Sequence, residues 1–184
     1  MASLDKEYAN TIKWEGLVDH LYQDSRGFVT VGVGFLVPSK EAATGLGLVD
    51  RLTREPASRI ECLNEYAKVV RAQTGHPASW YLQITHLLMP PSAIREEFEK
   101  RAQHFRSGLV GLVPDYLSLP DGPRLALFDM AWNLGLNGLS KFNKLISACN
   151  DKSWDVAAAE CHRSSSRAAR NEDTANLFLL AVAS

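Results

Sequence analysis

The apolar positions of this chain begin with a helical period and then change to a strand period. Near the start, apolar side chains recur at every fourth position: Leu4, Tyr8 and Ile12. This spacing predicts a helix over residues 4–15, and Gly16 is suited to end it in the left-handed conformation. Between residues 28 and 37, valines and Phe35 alternate with other residues, which predicts one half-buried strand. With the turn before it, this strand predicts a small β-hairpin lobe over residues 16–37.

The rest of the chain has a helical pattern. Residues 38–90 predict a helical insertion, because Pro56 precedes apolar residues at helical spacing that end near Gly75. From residue 91 the helical period continues to the end, and its first apolar stripe consists of Ile94, Phe98, Ala102, Phe105 and Leu109. We therefore expect a helical C-terminal lobe over residues 91–184. The predicted fold class is α+β and mostly α-helical, with residues 1–184 forming a single domain.

The composition is that of a globular protein. Of 184 residues, 46% are hydrophobic and 22% are charged, which is enough apolar material for a sizeable core. The formal net charge is -1 and the sequence pI is about 6.5, so nothing indicates a nucleic-acid partner. No apolar run approaches the roughly 18 residues of a membrane span, and the N-terminus lacks a signal-peptide pattern. We expect no membrane partner, and synthesis in the cytoplasm.

The cysteines indicate neither a disulfide framework nor a metal site. Cys62, Cys149 and Cys161 are odd in number and lie on segments with a helical pattern, which predicts free buried thiols. Cys161 and His162 are adjacent, so on a helix their side chains point in different directions, and no second pair has the spacing of metal ligands. We expect no metal and no cofactor.

Two carboxylates and a hydroxyl near the predicted hairpin are candidates for acid–base chemistry. Glu15 would end the first helix, where the negative end of the helix dipole favours its protonated form. Asp24 opens an Asp-Ser-Arg-Gly sequence, which is typical of a type I turn whose backbone amides stabilise a carboxylate. Thr30 follows on the strand, where it can hold a water beside Asp24. Separately, each residue has an ordinary structural interpretation, but the three together at this spacing favour a catalytic site.

Glycines beside Thr30 suggest where a ligand can approach. Gly32 and Gly34 lie on the face of the predicted strand that is opposite the valines. Because glycine has no side chain, the backbone is bare there, and a sugar ring can come close to it. We therefore place Gly32 among the substrate-binding residues.

These residues together resemble the active-site signature of the phage-type lysozymes, glycoside hydrolase family 24. The pattern in this sequence is Glu15-Gly16, then Tyr22-x-Asp24, then Gly27-x-x-Thr30-x-Gly32-x-Gly34. The resemblance returns in the C-terminal 95 residues, around Phe128-Asp-Met-Ala-Trp-Asn133-Leu-Gly135. It implies a two-lobed lysozyme-like fold with a small hairpin lobe. Many relatives have a histidine where this chain has Phe35, which we assign to substrate binding together with Gly32.

The resemblance implies a peptidoglycan hydrolase that cleaves the β-1,4 bond between N-acetylmuramic acid and N-acetylglucosamine. The implied roles are general acid for Glu15, base for Asp24 and water holder for Thr30, with inversion at the anomeric carbon. Two alternatives stay open: a lytic transglycosylase, which needs no second carboxylate, and a wall-binding module that has lost catalysis. Intact Glu15, Asp24 and Thr30 favour the hydrolase.

The expected partner is the glycan strand of peptidoglycan, and the protein is expected to act as a monomer in the periplasm or cell wall of a target bacterium. Two routes would bring a chain without a signal peptide there. One is release of a phage lysozyme through a holin, and the other is injection as the lysozyme domain of a secreted antibacterial effector. A delivery or immunity protein would then be a further partner.

Three other features have two interpretations each. Asn133 near the end of a predicted helix is assigned to substrate binding, although a C-capping asparagine is as consistent with the pattern. Trp80-Tyr81 fits a core or lid pair better than a sugar subsite. Arg167 and Arg170 lie in a polar basic stretch, where a solvated loop is favoured over contacts with substrate carboxylates.

Overall fold

The computed structural model describes residues 2–182, with side chains from residue 4 onward, as a mostly helical α+β fold. The helices are α1 Ala2–Glu15, α2 Lys40–Ala43, α3 Arg59–Arg71, α4 Pro91–Leu112, α5 Asp121–Leu134, α6 Leu136–Leu139, α7 Asn143–Asn150, α8 Trp154–Glu160 and α9 Ala168–Leu179, with 3-10 turns at Ala78–Gln83 and Tyr116–Ser118. The strands are β1 Val18–Gln23, β2 Val29–Gly32, β3 Phe35–Leu36, β4 Val49–Asp50 and β5 Leu87–Leu88. The predicted fold class is confirmed.

The chain divides into two compact units. The sheet unit is Glu15–Glu99, and the helical unit contains the chain up to Trp14 and from Lys100 onward. The long α4 begins in the sheet unit and ends in the helical unit. The predicted apolar stripe of this helix is buried at Ile94, Phe98, Ala102 and Leu109. The single domain predicted for residues 1–184 stays a prediction.

In the hairpin lobe, residues 28–37 form two strands, β2 and β3, where the alternating valines predicted one. β2 pairs with β1 on one side and with β3 on the other, all antiparallel, so the predicted strand over 28–37 reverses direction within itself. Gly32 and Gly34 have φ angles of 67° and 79°, in the left-handed region that other residues avoid. The two glycines therefore make a turn, and Phe35 returns beside Val31.

The insertion over 38–90 contains a second small sheet besides its helix. Helix α3 begins at Arg59 rather than near Pro56, because Ser58 and Glu61 form a reciprocal capping box at its start. β4 and β5 pair antiparallel, with Val49 opposite Leu88. The buried carboxylate of Glu65 accepts hydrogen bonds from the backbone N–H groups of His86 and Leu87 and so joins α3 to β5.

Strand β1 holds the insertion at two points. The side-chain amide of Gln23 donates to the carbonyl of Val69 at 2.6 Å, near the end of α3. The His20 ring nitrogen Nε2 lies 2.8 Å from the carbonyl of Ala78. Both partners belong to the sheet unit, so β1 connects the hairpin lobe to the insertion.

A buried ionic cluster organises the helical unit. Asp129 on α5 is 2% exposed and binds Arg163 and Arg170, each with an N–O distance of 2.8 Å. Thr174 on α9 accepts a hydrogen bond from Arg163 at 2.6 Å. The expectation of a solvated loop is therefore wrong for Arg170, which neutralises a buried carboxylate. Helix α8 ends at Glu160, so Arg163 lies on the segment that connects α8 to α9.

Candidate active site

Glu15 is the last residue of α1, as predicted, and Gly16 follows it with φ of 75°. This places the half-buried Glu15 carboxyl at the negative end of the helix dipole. Its side chain faces the turn between β2 and β3: a Cβ atom added to Gly34 would lie 3.5 Å from Glu15 Oε2. A side chain at Gly34 would therefore be in van der Waals contact with this carboxyl group.

Asp24 directly follows β1 and begins the predicted turn. Its backbone carbonyl accepts from the N–H of Gly27 at 2.9 Å, which confirms the turn over residues 24–27. Its side-chain Oδ1 accepts from the N–H groups of Arg26 and Phe28, each at 2.9 Å. Oδ2 lies 3.9 Å from Nε of the exposed Arg26. One oxygen of the carboxylate is therefore fixed by the backbone, and the side chain stays 27% exposed.

Thr30 lies on β2 with only 5% of its surface exposed. Its hydroxyl donates to the carbonyl of Phe28 at 3.1 Å. A hydroxyl has one hydrogen and two lone pairs, so this bond leaves Thr30 Oγ1 as an acceptor. Thr30 can thus receive a hydrogen bond from a water molecule, which is the property that its predicted role needs.

Tyr22 is a neighbour that Glu15, Asp24 and Thr30 share. It lies directly opposite Thr30 in the β1–β2 pair and two positions before Asp24. Burial raises the pKa of Tyr22, and the negative charges of Asp24 and Glu15 raise it further. Both carboxylates are therefore close enough to act on one phenol. The sequence pattern assigns Tyr22 no role of its own. Its spacing of two from Asp24, however, indicates that the two side chains point to the same side of an extended chain.

Gly32 and Phe35, which the sequence assigns to substrate binding, are both buried in the structure. Gly32 is buried, and a Cβ atom there would lie 2.5 Å from two ring carbons of Phe35. Phe35 itself is 0% exposed. The Phe35 ring thus occupies the space beside Gly32, and the assignment of these two residues to substrate binding stays a prediction. The exposed, bare backbone is at Gly34 instead.

Asn133 lies in the helical unit, where it belongs to α5 rather than capping it. The helix ends at Leu134, and Gly135 is its C-cap. Asn133 Oδ1 accepts from the Ser166 hydroxyl at 2.9 Å and from Arg163 at 3.4 Å. The side chain is exposed, and its role in substrate binding stays a prediction.

Potential metal-ligating side chains do not cluster within residues 2–182. No group of three or more His, Cys, Asp or Glu side chains there is arranged to hold a metal ion. The three cysteines are free and buried, as predicted, and burial raises the pKa of Cys149 to about 12. No helix in this part of the chain is long and apolar enough to cross a membrane.

No protein-family model matches the chain. It is 22% identical over 157 residues to a protein of Dictyostelium discoideum named "Probable T4-type lysozyme 2", a match that covers 82% of this chain and 78% of that protein. It is 23% identical over 143 residues to the "Pre-baseplate central spike protein Gp5" of Enterobacteria phage T4. That match covers 78% of this chain but only 22% of the spike protein. These similarities support a lysozyme-like chain.

Proposed function

We propose that this protein hydrolyses the β-1,4 bond between N-acetylmuramic acid and N-acetylglucosamine in peptidoglycan. The observation that carries the proposal is that the charges of Glu15 and Asp24 both act on Tyr22, which lies directly across the strand pair from Thr30. Two carboxylates in different environments are what glycoside hydrolysis requires. The similarity to a protein named as a T4-type lysozyme supports the same reaction.

In this proposal the two carboxylates have different tasks. Glu15, at the C-terminal end of α1, is the general acid and donates a proton to the leaving oxygen. Asp24 is the base, and two backbone N–H groups hold its Oδ1 in place. Thr30 accepts a hydrogen bond from the attacking water. Such a water attacks the sugar from the side opposite the leaving group, so the reaction inverts the anomeric carbon.

A digest of purified peptidoglycan tests the reaction and separates it from a transglycosylase. We expect clearing of the wall suspension and products with reducing ends, each carrying one added water. Products that end in 1,6-anhydro-muramic acid would identify a lytic transglycosylase instead. Binding to the wall without any cleavage would identify a wall-binding module.

The essential variant is Glu15→Gln, because an amide cannot supply the proton. We expect it to lose at least about a hundredfold in rate, at the lower end of what general acid catalysis contributes. Glu55→Gln is the matched control, since Glu55 is exposed and lies in the same unit. Glu15→Gln with a rate within tenfold of the wild type and unchanged thermal unfolding would contradict the assignment.

A further inference from the structure

The insertion contains a groove that the proposed reaction does not use. One wall is a stripe of polar residues on α3, spaced as one helical face: Glu61, Asn64, Lys68 and Arg71. The other wall comes from Asp50 on β4 and from His86 and Leu87 at β5. These residues enclose a cavity of about 510 Å³. A neighbouring cavity of about 420 Å³ shares Lys68, Arg71 and His86 with it and continues to Ala72, Trp80 and Ile84.

One end of the groove is acidic. Backbone N–H groups of Thr53 and Leu52 lower the pKa of Asp50, and the Ser58 hydroxyl and backbone N–H lower that of Glu61. Each carboxylate uses a single oxygen for these bonds, Oδ1 of Asp50 and Oε2 of Glu61. Within residues 2–182 the second oxygen of each accepts no hydrogen bond, so both carboxylates stay charged and able to receive a cation.

The middle of the groove is basic. Arg71 is exposed and has no hydrogen-bond or ion-pair partner among residues 2–182. Lys68 lies 3.4 Å from the Glu65 carboxylate, which the backbone of β5 already binds. Because the Glu65 carboxylate already accepts hydrogen bonds from the backbone at β5, it neutralises Lys68 and Arg71 only in part. The middle of the groove therefore attracts carboxylates.

The end of the groove opposite the acidic end is apolar, and its aromatic side chain, Trp80, is fixed by packing. The rings of His76 and Trp80 stack in parallel, with centroids 4.0 Å apart. Tyr81 meets Trp80 edge-on and is itself fully buried. Trp80 is half-buried and lines the groove together with Ile84. A fixed aromatic face of this kind binds methyl and methylene groups at a small entropic cost.

We propose that this groove binds a short peptide that carries both a free ammonium group and carboxylates, which is the chemistry of the peptide stems of peptidoglycan. The ammonium group would meet Asp50 and Glu61, the carboxylates would meet Lys68 and Arg71, and alanine methyl groups would pack on Trp80. The identity of the peptide as a wall stem rests on the proposed hydrolase function. The cavity volumes lie within the range of about 300–1,000 Å³ that is usual for ligand sites.

Hydrogen bonds join α3, which forms one wall of the groove, to strand β1, which leads to Asp24. Gln23, the neighbour of Asp24, donates to the carbonyls of Val69 and Ala72 around the end of α3. A Cβ atom at Gly27, in the Asp24 turn, would lie 3.3 Å from the Thr74 methyl group. A stem held in the groove would therefore be bound by the same unit that carries Glu15 and Asp24, which favours glycan strands that keep their stems.

The test is a titration of the ¹⁵N-labelled full chain with a synthetic stem, N-acetyl-L-Ala-γ-D-Glu-meso-diaminopimelate-D-Ala. We expect shift changes at the Trp80 indole and along α3. Arg71→Glu should weaken binding at least about fivefold, because reversing an interfacial charge turns attraction into repulsion. Arg59→Glu is the matched control, since Arg59 is exposed on the same helix outside the groove, and it should bind as the wild type does. A stem with 2-aminopimelate in the third position, which lacks the ammonium group, should also bind more weakly.

Equal affinity of Arg71→Glu and the wild type would overturn the proposal, and so would shift changes confined to the residues around Glu15 and Asp24. The free stem contains no glycosidic bond, so its binding does not depend on catalysis. Stem binding by a protein that fails to cleave peptidoglycan would therefore refute the hydrolase alone. Cleavage of peptidoglycan without stem binding would refute the groove alone.

Discussion

Gly34 leaves its side-chain position open toward Glu15, and a Cβ atom there would lie 3.5 Å from Glu15 Oε2. The φ angle of Gly34 is 79°, so the residue also makes a turn that other residues form only with strain. Gly34 therefore does two things at once. It reverses the chain between β2 and β3, and it keeps the exposed space beside the carboxyl group that we propose as the acid free of a side chain.

Gly34→Ala should reduce wall hydrolysis more than its effect on stability explains. The methyl group would lie in van der Waals contact with Glu15 Oε2 and occupy the open space beside the carboxyl group, where the leaving oxygen of the substrate must approach. Gly75→Ala is a matched control, because Gly75 has φ of 88° and nothing within 4 Å of an added Cβ. Both substitutions should cost about 1–2 kcal/mol in backbone strain. Only Gly34→Ala should lose at least about tenfold in rate, and equal losses in both variants would refute the spatial argument.

The pKa of Tyr22 can be used to test whether the Glu15 and Asp24 carboxylates lie close to its phenol. Its pKa is raised by burial and then by the charges of Asp24 and Glu15, so removing either charge should lower it toward the ordinary value of about 10. We expect this decrease in Glu15→Gln and in Asp24→Asn, followed by NMR of ¹³C-labelled tyrosine. Glu55→Gln should leave the Tyr22 titration unchanged. If the Tyr22 pKa is the same in the wild type and all three variants, the two carboxylates do not interact with the Tyr22 phenol.

The same shift makes the free energy of unfolding depend on alkaline pH. A tyrosine with a raised folded-state pKa binds its proton more tightly when folded, so its contribution is fully present below about pH 10. That contribution is lost as pH rises from there through the folded-state pKa. Tyr22→Phe should therefore lose less stability than the wild type when the pH rises above about 10, as measured by urea unfolding. An identical pH dependence would contradict the raised pKa of Tyr22.

Local sequence features predicted the parts of the site that depend on neighbouring residues. The end of α1 at Glu15 follows from Gly16, and the turn at Asp24 follows from Gly27 three positions later. The reversal at Gly32 and Gly34 was missed, because the valines on either side keep the period of one continuous strand. The burial of Phe35, which packs beside Gly32 in this turn, follows from the same reversal.

Features that depend on distant residues could not be predicted from the pattern. β4 and β5 are two residues each, and their pairing of Val49 with Leu88 joins distant parts of the insertion. Arg170 has the sequence context of a solvated loop, and only its partner Asp129 on another helix explains its burial. Charge pairing at long range has no period, so it leaves no signal in a single sequence.

Asp129→Ala should strongly destabilise the helical unit. Without its carboxylate, the buried Arg163 and Arg170 would face each other as uncompensated charges, which costs about 3–5 kcal/mol for a broken buried pair. Asp121→Ala is the control on the same helix, because Asp121 is exposed and its ion pairs with Lys6 and Arg124 are solvated. Urea unfolding should show a far smaller effect for Asp121→Ala, and similar effects for the two variants would contradict the importance of the cluster.

The orientation of Thr30 bears on the stereochemistry of the reaction. Its hydroxyl donates to Phe28 and is left as an acceptor, while Asp24 Oδ1 is fixed by two N–H groups. Thr30→Val removes the acceptor without changing the shape of the side chain. We expect a loss of at least about tenfold in rate with little change in substrate affinity, because a water contact is lost rather than a sugar contact. Unchanged kinetics in Thr30→Val would exclude Thr30 as the water holder.

Inversion of the anomeric carbon is the final prediction. An inverting glycosidase needs a water between its base and the sugar, so its carboxyl groups stand about 6.5–9.5 Å apart, against about 5–5.5 Å in a retaining one. A retaining mechanism would place Asp24 against the anomeric carbon and leave no role for a water held by Thr30. The protein should therefore release the α-anomer first, as followed by proton NMR before mutarotation mixes the anomers. First appearance of the β-anomer would make Asp24 a nucleophile and contradict its assignment as the base.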